Sequence, residues 1–230
     1  MRQAVPHAGY PAAAETAAFR EAYRAENISE SYSGWGHFRA IFGGYGAVLL
    51  LCLLLLDRVS GWEWAVPPVT FLYANLSEYF GHRFAMHRRV PGLSLIHKRH
   101  VKQHHRFFLN EDLAMESPDD FKAVLFPAYL TAFFFAAFSL PAALLLAWLW
   151  SDDAALLFLA TSLAYYLVYE AAHFICHLPD DSAALRIPGI KRLVTHHRLH
   201  HRADLMARAN FNFMFPLGDW IFGPRRAGEN

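Results

Sequence analysis

Four stretches of the chain stay uncharged long enough to read as membrane-crossing helices, and polar, basic blocks separate them. Ala40 to Leu56 ends in a leucine-rich run, and its 17 residues reach the lower limit for a span. Trp64 to Ser77 follows, with Pro67 and Pro68 at its start, where proline is tolerated. It runs on through Glu78 to His82. Ala123 to Trp150 is the longest, 28 residues without a charge. As one helix it would reach about 42 Å against a hydrocarbon core of ~30 Å, so Pro141 is expected to kink it, or the segment to fold back as a hairpin. Ala154 to Cys176 is the last, carrying Glu170 and His173 in its final turns. Before the first span, a Pro/Ala-rich lead precedes ETAAFREAYRAENISE, a short amphipathic helix with Phe19 and Tyr23 four apart, and SYSGWGH, an aromatic turn. The pattern predicts an all-α integral membrane protein of about four transmembrane helices under a helical cap. Residues 1–37 form an N-terminal interfacial segment and 38–230 a single membrane-embedded domain.

Composition agrees with this pattern. The chain is 55% hydrophobic, 16% aromatic and 18% charged, where soluble domains average about 25% charged. No secretory leader is read at the N-terminus, which lacks an apolar core. A net charge of +1 argues against a nucleic-acid partner. Of the 21 lysines and arginines, only Arg58 lies in the short loops 57–63 and 151–153. The positive-inside rule therefore places the long polar blocks in the cytoplasm. Basic residues such as Arg88, Arg89, Lys98 and Lys102 then face anionic headgroups or an acidic redox partner. Ala/Arg-rich usage points to a bacterial inner membrane. The two cysteines, Cys52 and Cys176, give no disulfide framework or CxxC site. Cys176, inside HFICH, is either a thiolate ligand or a small apolar residue, and the second is the commoner role.

The polar blocks carry the chemistry. The chain has 14 histidines, and all except His7 and His37 fall in two blocks, both on the same side of a four-span arrangement. His100, His104 and His105 read HxxxHH, and His197, His200 and His201 read HxxHH; on an ideal helix each set shares one broad face. His173 and His177 are four apart. His82 and His87 are five apart, about 140° around an ideal helix, so they converge only where the helix ends or bends. Neutral imidazole binds iron, zinc, copper and nickel. A single histidine of this kind is usually a buried ring hydrogen-bonded to a neighbour. Four sets in ligand spacing point instead to two metal ions with about five nitrogens each. Iron there would serve oxygen activation at a lipid C–H bond, and zinc binds the same ligands. Glu170 and His173 spell the ExxH of soluble ferritin-like sites, but no second ExxH exists.

The order HRFAMH, HKRHVKQHH, HFICH, HHRLHH, interleaved with spans, resembles the fatty acid hydroxylase/sterol desaturase superfamily of integral-membrane di-iron enzymes. The resemblance covers roughly Tyr73 to Gly223, including a closing motif of Asn210, Pro216, Asp219, Trp220, Phe222 and Gly223. Asn212 and Pro224 depart from it, standing where glycine and threonine are expected. The resemblance implies the ligands His82, His87, His100, His104, His105, His173, His177, His197, His200 and His201, with His196 as the alternative to His197. Behind the ligands it leaves Glu78, His97, Glu170, Asn210 and Asp219 as supporting residues. The two carboxylates Glu78 and Glu170 are expected to accept imidazole N–H groups, and Asn210 and Asp219 to have mainly structural roles. The implied activity is O2-dependent hydroxylation or desaturation of a fatty acyl, sphingolipid, sterol or carotenoid substrate by two iron ions, with zinc possible in purified protein. The lipid would enter among Phe133, Phe134, Phe135 and Phe138. No heme or flavin segment is visible, so electrons come from a separate ferredoxin- or cytochrome-type donor. The competing readings are a zinc-dependent membrane hydrolase, which lacks an HExxH, and a non-enzymatic metal-binding or transport protein, which would set its ligands at mid-membrane. A bis-histidine heme protein does not explain three HH pairs.

Overall fold

The computed structural model describes residues 13–109 and 112–223; the Pro/Ala-rich lead, His7 and Pro224 lie outside them. Among the described residues every regular element is helical. Helix α1 (Ala13–Asn27) precedes α2 (Gly34–Leu54), whose first turn is capped by Ser33 accepting the Gly36 N–H at 3.0 Å. Helix α3 (Val66–Phe80) starts with its two prolines in the first turn, where their missing N–H groups cost nothing. The histidine-bearing helix α4 (94–107) lies outside the apolar array. Helices α5 (128–149) and α6 (Asp152–Cys176) form the second hairpin. Ser151 caps α6 through the Ala154 N–H at 3.0 Å, and Asp152 and Asp153 complement the helix dipole. Helix α7 (Ile190–His200) carries the last histidines, and α8 (Leu217–Phe222) closes the described chain.

Three stretches are long and apolar enough to cross a membrane: Gly34–Leu54, Pro118–Leu149 and Asp152–Cys176. The second expected span, α3, has 15 residues, about 22 Å of helix, short of the ~30 Å core by itself. The loop that precedes it joins the start of α6. At the end remote from the histidines, Asp153 accepts the N–H groups of Asp57 and Arg58 at 3.0 and 2.9 Å, and Ser151 donates to Glu63. Trp62 and Trp148 stand 84% and 80% exposed there. Rows of exposed leucine, valine and phenylalanine run along α2, α3 and α5, a contiguous apolar surface suited to lipid contact.

The long uncharged stretch is not folded as a hairpin, and 128–149 is continuous helix through Pro141. The stretch breaks earlier, at 125–127, between a short helix Phe121–Val124 and α5. The sequence forces this twice: residue 126 precedes Pro127 and is driven from the helical region, and Pro127 has no N–H to give. His37 lies against the Phe126 carbonyl, with Nε2 3.0 Å away, and the Tyr45 hydroxyl donates to the Ala128 carbonyl at 2.7 Å. Pro141 instead follows a π-helical turn, Phe135–Ser139, whose wider winding takes up the lost hydrogen bond.

Candidate metal centre

The histidine end of the array gathers ten imidazoles, every one buried, into two groups of five. The first holds His82, His87, His100, His105 and His200; the second holds His104, His173, His177, His197 and His201. In each group the ligand-capable nitrogens lie within 4.8 Å of one another. The groups abut, with the His105 and His201 ring centroids 4.3 Å apart.

Helix winding decides which histidine goes where. The turns Gly81–Met86 and Lys98–His104 are π-helical. The His87 N–H reaches back to the His82 carbonyl at 3.1 Å, and the His105 N–H to the His100 carbonyl. This five-residue closure brings His82 onto the face of His87, and His100 onto the face of His105. Both pairs enter the first group. The 140° mismatch of an ideal helix is thereby removed. The second group takes the four-residue pairs, His173/His177 from the end of α6 and His197/His201 from the end of α7. His104 and His200 cross over. The two HH-ending motifs therefore do not each present a single face; each serves both groups.

The donor chemistry fits a cation. His82, His104, His177, His200 and His201 place Nδ1 2.6–3.1 Å from the backbone carbonyls of Phe211, Ala123, Leu113, Ala209 and Phe108. A carbonyl only accepts, so each ring carries its proton on Nδ1 and presents Nε2 as a bare lone pair. Yet Nε2 of His104 and Nε2 of His201 are 3.1 Å apart. Two lone pairs at that distance repel unless a cation sits between them. The other Nε2 contacts run from 2.8 Å (His82–His100) to 3.3 Å (His104–His173). Nitrogens held at right angles about an ion ~2.1 Å away would be about 3.0 Å apart.

Burial also keeps these rings neutral. It pushes the pKa of His82 and His104 down to about 4, and those of His100, His105, His177, His197, His200 and His201 well below 6.5. The folded protein thus binds fewer of these protons than the unfolded chain between pH 6.5 and about 4. Stability from the neutral rings is complete above pH 6.5 and is lost as pH falls through that window. Metal-free protein in detergent should melt at a clearly lower temperature at pH 5 than at pH 7.5; a melting temperature flat across that range would contradict neutral, buried rings.

The remaining sequence-selected residues surround the groups. His196 stands outside both, with Nε2 2.9 Å from the Asn212 carbonyl. His97 sets Nδ1 2.9 Å from the Met86 carbonyl. Glu78 accepts from the Tyr165 hydroxyl and the Phe213 N–H and, among the described residues, from no imidazole. Glu170 is fully buried one turn before His173, and neither carboxylate oxygen has a hydrogen-bond partner among the described residues. Cys176 clusters with Ala172 and Phe213 and belongs to neither group. Asn210 takes a left-handed backbone, φ 60°, which asparagine tolerates. Asp219, fully buried, accepts the N–H groups of Phe211 and Asn212 at 3.0 and 2.8 Å. Those two contacts fix the turn whose Phe211 carbonyl meets His82. Asn212 also donates to the Asn75 carbonyl and accepts the Gly218 N–H, at 2.8 and 2.7 Å. Residue 218 must be glycine, since a Cβ there would come within 2.5 Å of Asn212 Oδ1 and the Tyr79 ring.

Sequence reasoning missed the carbonyl anchors, which carry no side-chain signature. It also missed a small recess beside the groups. The break at 125–127 opens it, and Ala123, Val124 and Phe126 line it together with His100 of the first group and His104 and His173 of the second.

Fold and site together define a helical membrane protein with paired clusters of buried imidazoles. Residues 68–224, more than half of the chain, match the fatty acid hydroxylase family, and the chain belongs to it. That family falls within the fatty acid hydroxylase/sterol desaturase superfamily. No curated protein and no solved structure matches the chain.

Proposed function

We propose that the ten histidines hold two iron ions, one per group, and that the protein hydroxylates or desaturates a lipid with O2 and two electrons from a separate donor. Hydroxylation balances as R–H + O2 + 2e⁻ + 2H⁺ → R–OH + H2O; desaturation removes two hydrogens and yields two waters. The observation that carries this reading is the approach of Nε2 lone pairs on buried, neutral rings, in two adjoining groups of five, within the fatty acid hydroxylase family. Bound iron supplies oxygen activation. The protein's own contribution is positional. Backbone carbonyls fix the tautomer of five rings. A small recess at 125–127, walled by Val124, Leu125, Phe126 and Pro127 with Arg99 at its edge, lies beside both groups. The expected lipid entry among Phe133, Phe134, Phe135 and Phe138 lies a little after this break. Among the described residues both groups are all-imidazole, and the sequence carries no HExxH of the kind a zinc hydrolase uses for its general base. The histidine end is assigned to the cytoplasm because the loops at the other end carry only Arg58 among the basic residues.

Iron-loaded protein in lipid nanodiscs, given a bacterial lipid extract and a reduced ferredoxin, is expected to consume O2. Under 18O2 a hydroxylated product gains one heavy oxygen, whereas a desaturated product gains none and loses two hydrogens. Iron-loaded protein that takes up no O2 with any reductant and lipid would overturn the oxygenase reading.

A further inference from the structure

Helix α1 lies outside the family match, which begins at residue 68, yet it is fastened to the backbone that anchors one imidazole group. Three rings of the second group set Nδ1 against carbonyls of a single stretch, 108–123: His201 at Phe108, His177 at Leu113 and His104 at Ala123. Most of this stretch is irregular, so its own helical hydrogen bonds do not fix those carbonyls in space. Helix α1 does so with two arginines one turn apart. Arg20 is 3% exposed. It donates Nε to the Phe107 carbonyl at 2.9 Å, Nη1 to Asp112 and Glu116 at 2.9 and 2.7 Å, and Nη2 to the Asp112 carbonyl at 3.0 Å. Its guanidinium also lies over the Phe107 ring, 5.2 Å from the centroid. Arg24 forks onto both oxygens of Asp120 at 2.8 and 2.9 Å and also reaches Glu116. Asp120 is fully buried, and its Oδ2 accepts the Glu116 and Ser117 N–H groups. The first group takes its carbonyl anchors elsewhere, at Ala209 and Phe211.

We propose that α1 is a positioning clamp for one of the two metal-binding groups. Arg20 and Arg24 hold the 107–120 backbone so that its Phe108 and Leu113 carbonyls orient His201 and His177, and so that the short helix that follows sets the Ala123 carbonyl against His104. The second group therefore depends on α1 for metal affinity, and the first group does not. This rests on the reading that each group holds one metal ion. Exposed ion pairs contribute little to stability, but these are not simple exposed pairs. Removing Arg24 leaves a buried Asp120 carboxylate without its cation, which is strongly destabilising locally. Loss of the partner that orients a metal-binding histidine weakens metal affinity by about 10–100-fold.

The test is metal content by elemental analysis of full-length protein purified in detergent. Wild type should hold two ions per chain, and His197→Ala and His200→Ala one each, since these two come from different groups. Arg24→Ala is expected to hold one. Combined with His200→Ala it should hold none; combined with His197→Ala it should still hold one. Two ions in Arg24→Ala, or none in its combination with His197→Ala, overturns the clamp while leaving the two-site reading standing. Fewer than two ions in wild type overturns both. Arg20→Lys guards against general unfolding: it keeps the charge but loses the fork. Chelator competition on it should show one ion bound about 10–100-fold more weakly and the other unchanged. Equal weakening of both ions, or of neither, overturns the proposal.

Discussion

Replacing His104 with alanine is expected to remove one of the two metal ions and to lower the rate of lipid oxidation by at least about a thousandfold. At 1.36 kcal/mol per decade, that is about 4 kcal/mol of transition-state stabilisation. His104 joins three elements. Its Nε2 lies 3.1 Å from His201 on the α7 side and 3.3 Å from His173 on α6, and its Nδ1 is 2.9 Å from the Ala123 carbonyl beside the recess. Alanine at 104 removes a nitrogen from the second group and leaves the His201 and His173 lone pairs without their shared partner. His196→Ala is the informative contrast. That ring meets the Asn212 carbonyl and lies outside both groups, so both ions should remain. Product analysis and elemental analysis on the same preparations check the pair. Loss of metal from His196→Ala with retention in His197→Ala would reverse the assignment of the last histidine motif.

The second large effect is expected at Asp219. This carboxylate touches no imidazole, yet it holds the turn that anchors His82. Asp219→Ala would strand the N–H groups of Phe211 and Asn212 in a buried site. Each orphaned donor costs about 1–3 kcal/mol, so the apo protein should lose about 2–6 kcal/mol of stability. The shift should fall on one group. The Phe211 and Ala209 carbonyls on this stretch hold His82 and His200, so the ion of the first group should be released and that of the second retained. Denaturant titration and metal analysis read the two effects separately. An Asp219→Ala protein of wild-type stability with both ions bound would refute this role. Such a change would complement loss of the α1 arginines, which is expected to release the other ion.

Much of this protein was legible in the sequence because the signals are local. Uncharged runs of spanning length, the shared side of the two histidine blocks in a four-span arrangement, and the spacing within HRFAMH, HKRHVKQHH, HFICH and HHRLHH need only neighbouring residues, and they sufficed for the all-helical membrane class and the family. Local propensity also contained the break at 125–127, in the Phe126–Pro127 step, although Pro141 looked the stronger candidate.

What only the tertiary structure decided is the division of labour among the ten rings. Ideal-helix geometry puts His100, His104 and His105 on one face, whereas the π-turns send His100 and His105 to one group and His104 to the other. The choice of winding is a small energy difference settled by packing, which periodicity does not report. The supporting contacts are equally non-local. Glu78 and Glu170 seemed the natural partners for imidazole N–H groups. The five anchors assigned are instead backbone carbonyls, most of them far away in sequence: His82 meets residue 211, His201 residue 108 and His177 residue 113. A carbonyl is common to every residue, so its role leaves no mark on the sequence. Arg20 and Arg24 read as the polar face of an ordinary amphipathic helix until the fold set them against Asp112, Glu116 and Asp120, about ninety residues away. The sequence determined which histidines could serve as metal ligands; long-range packing determined which of them lie together.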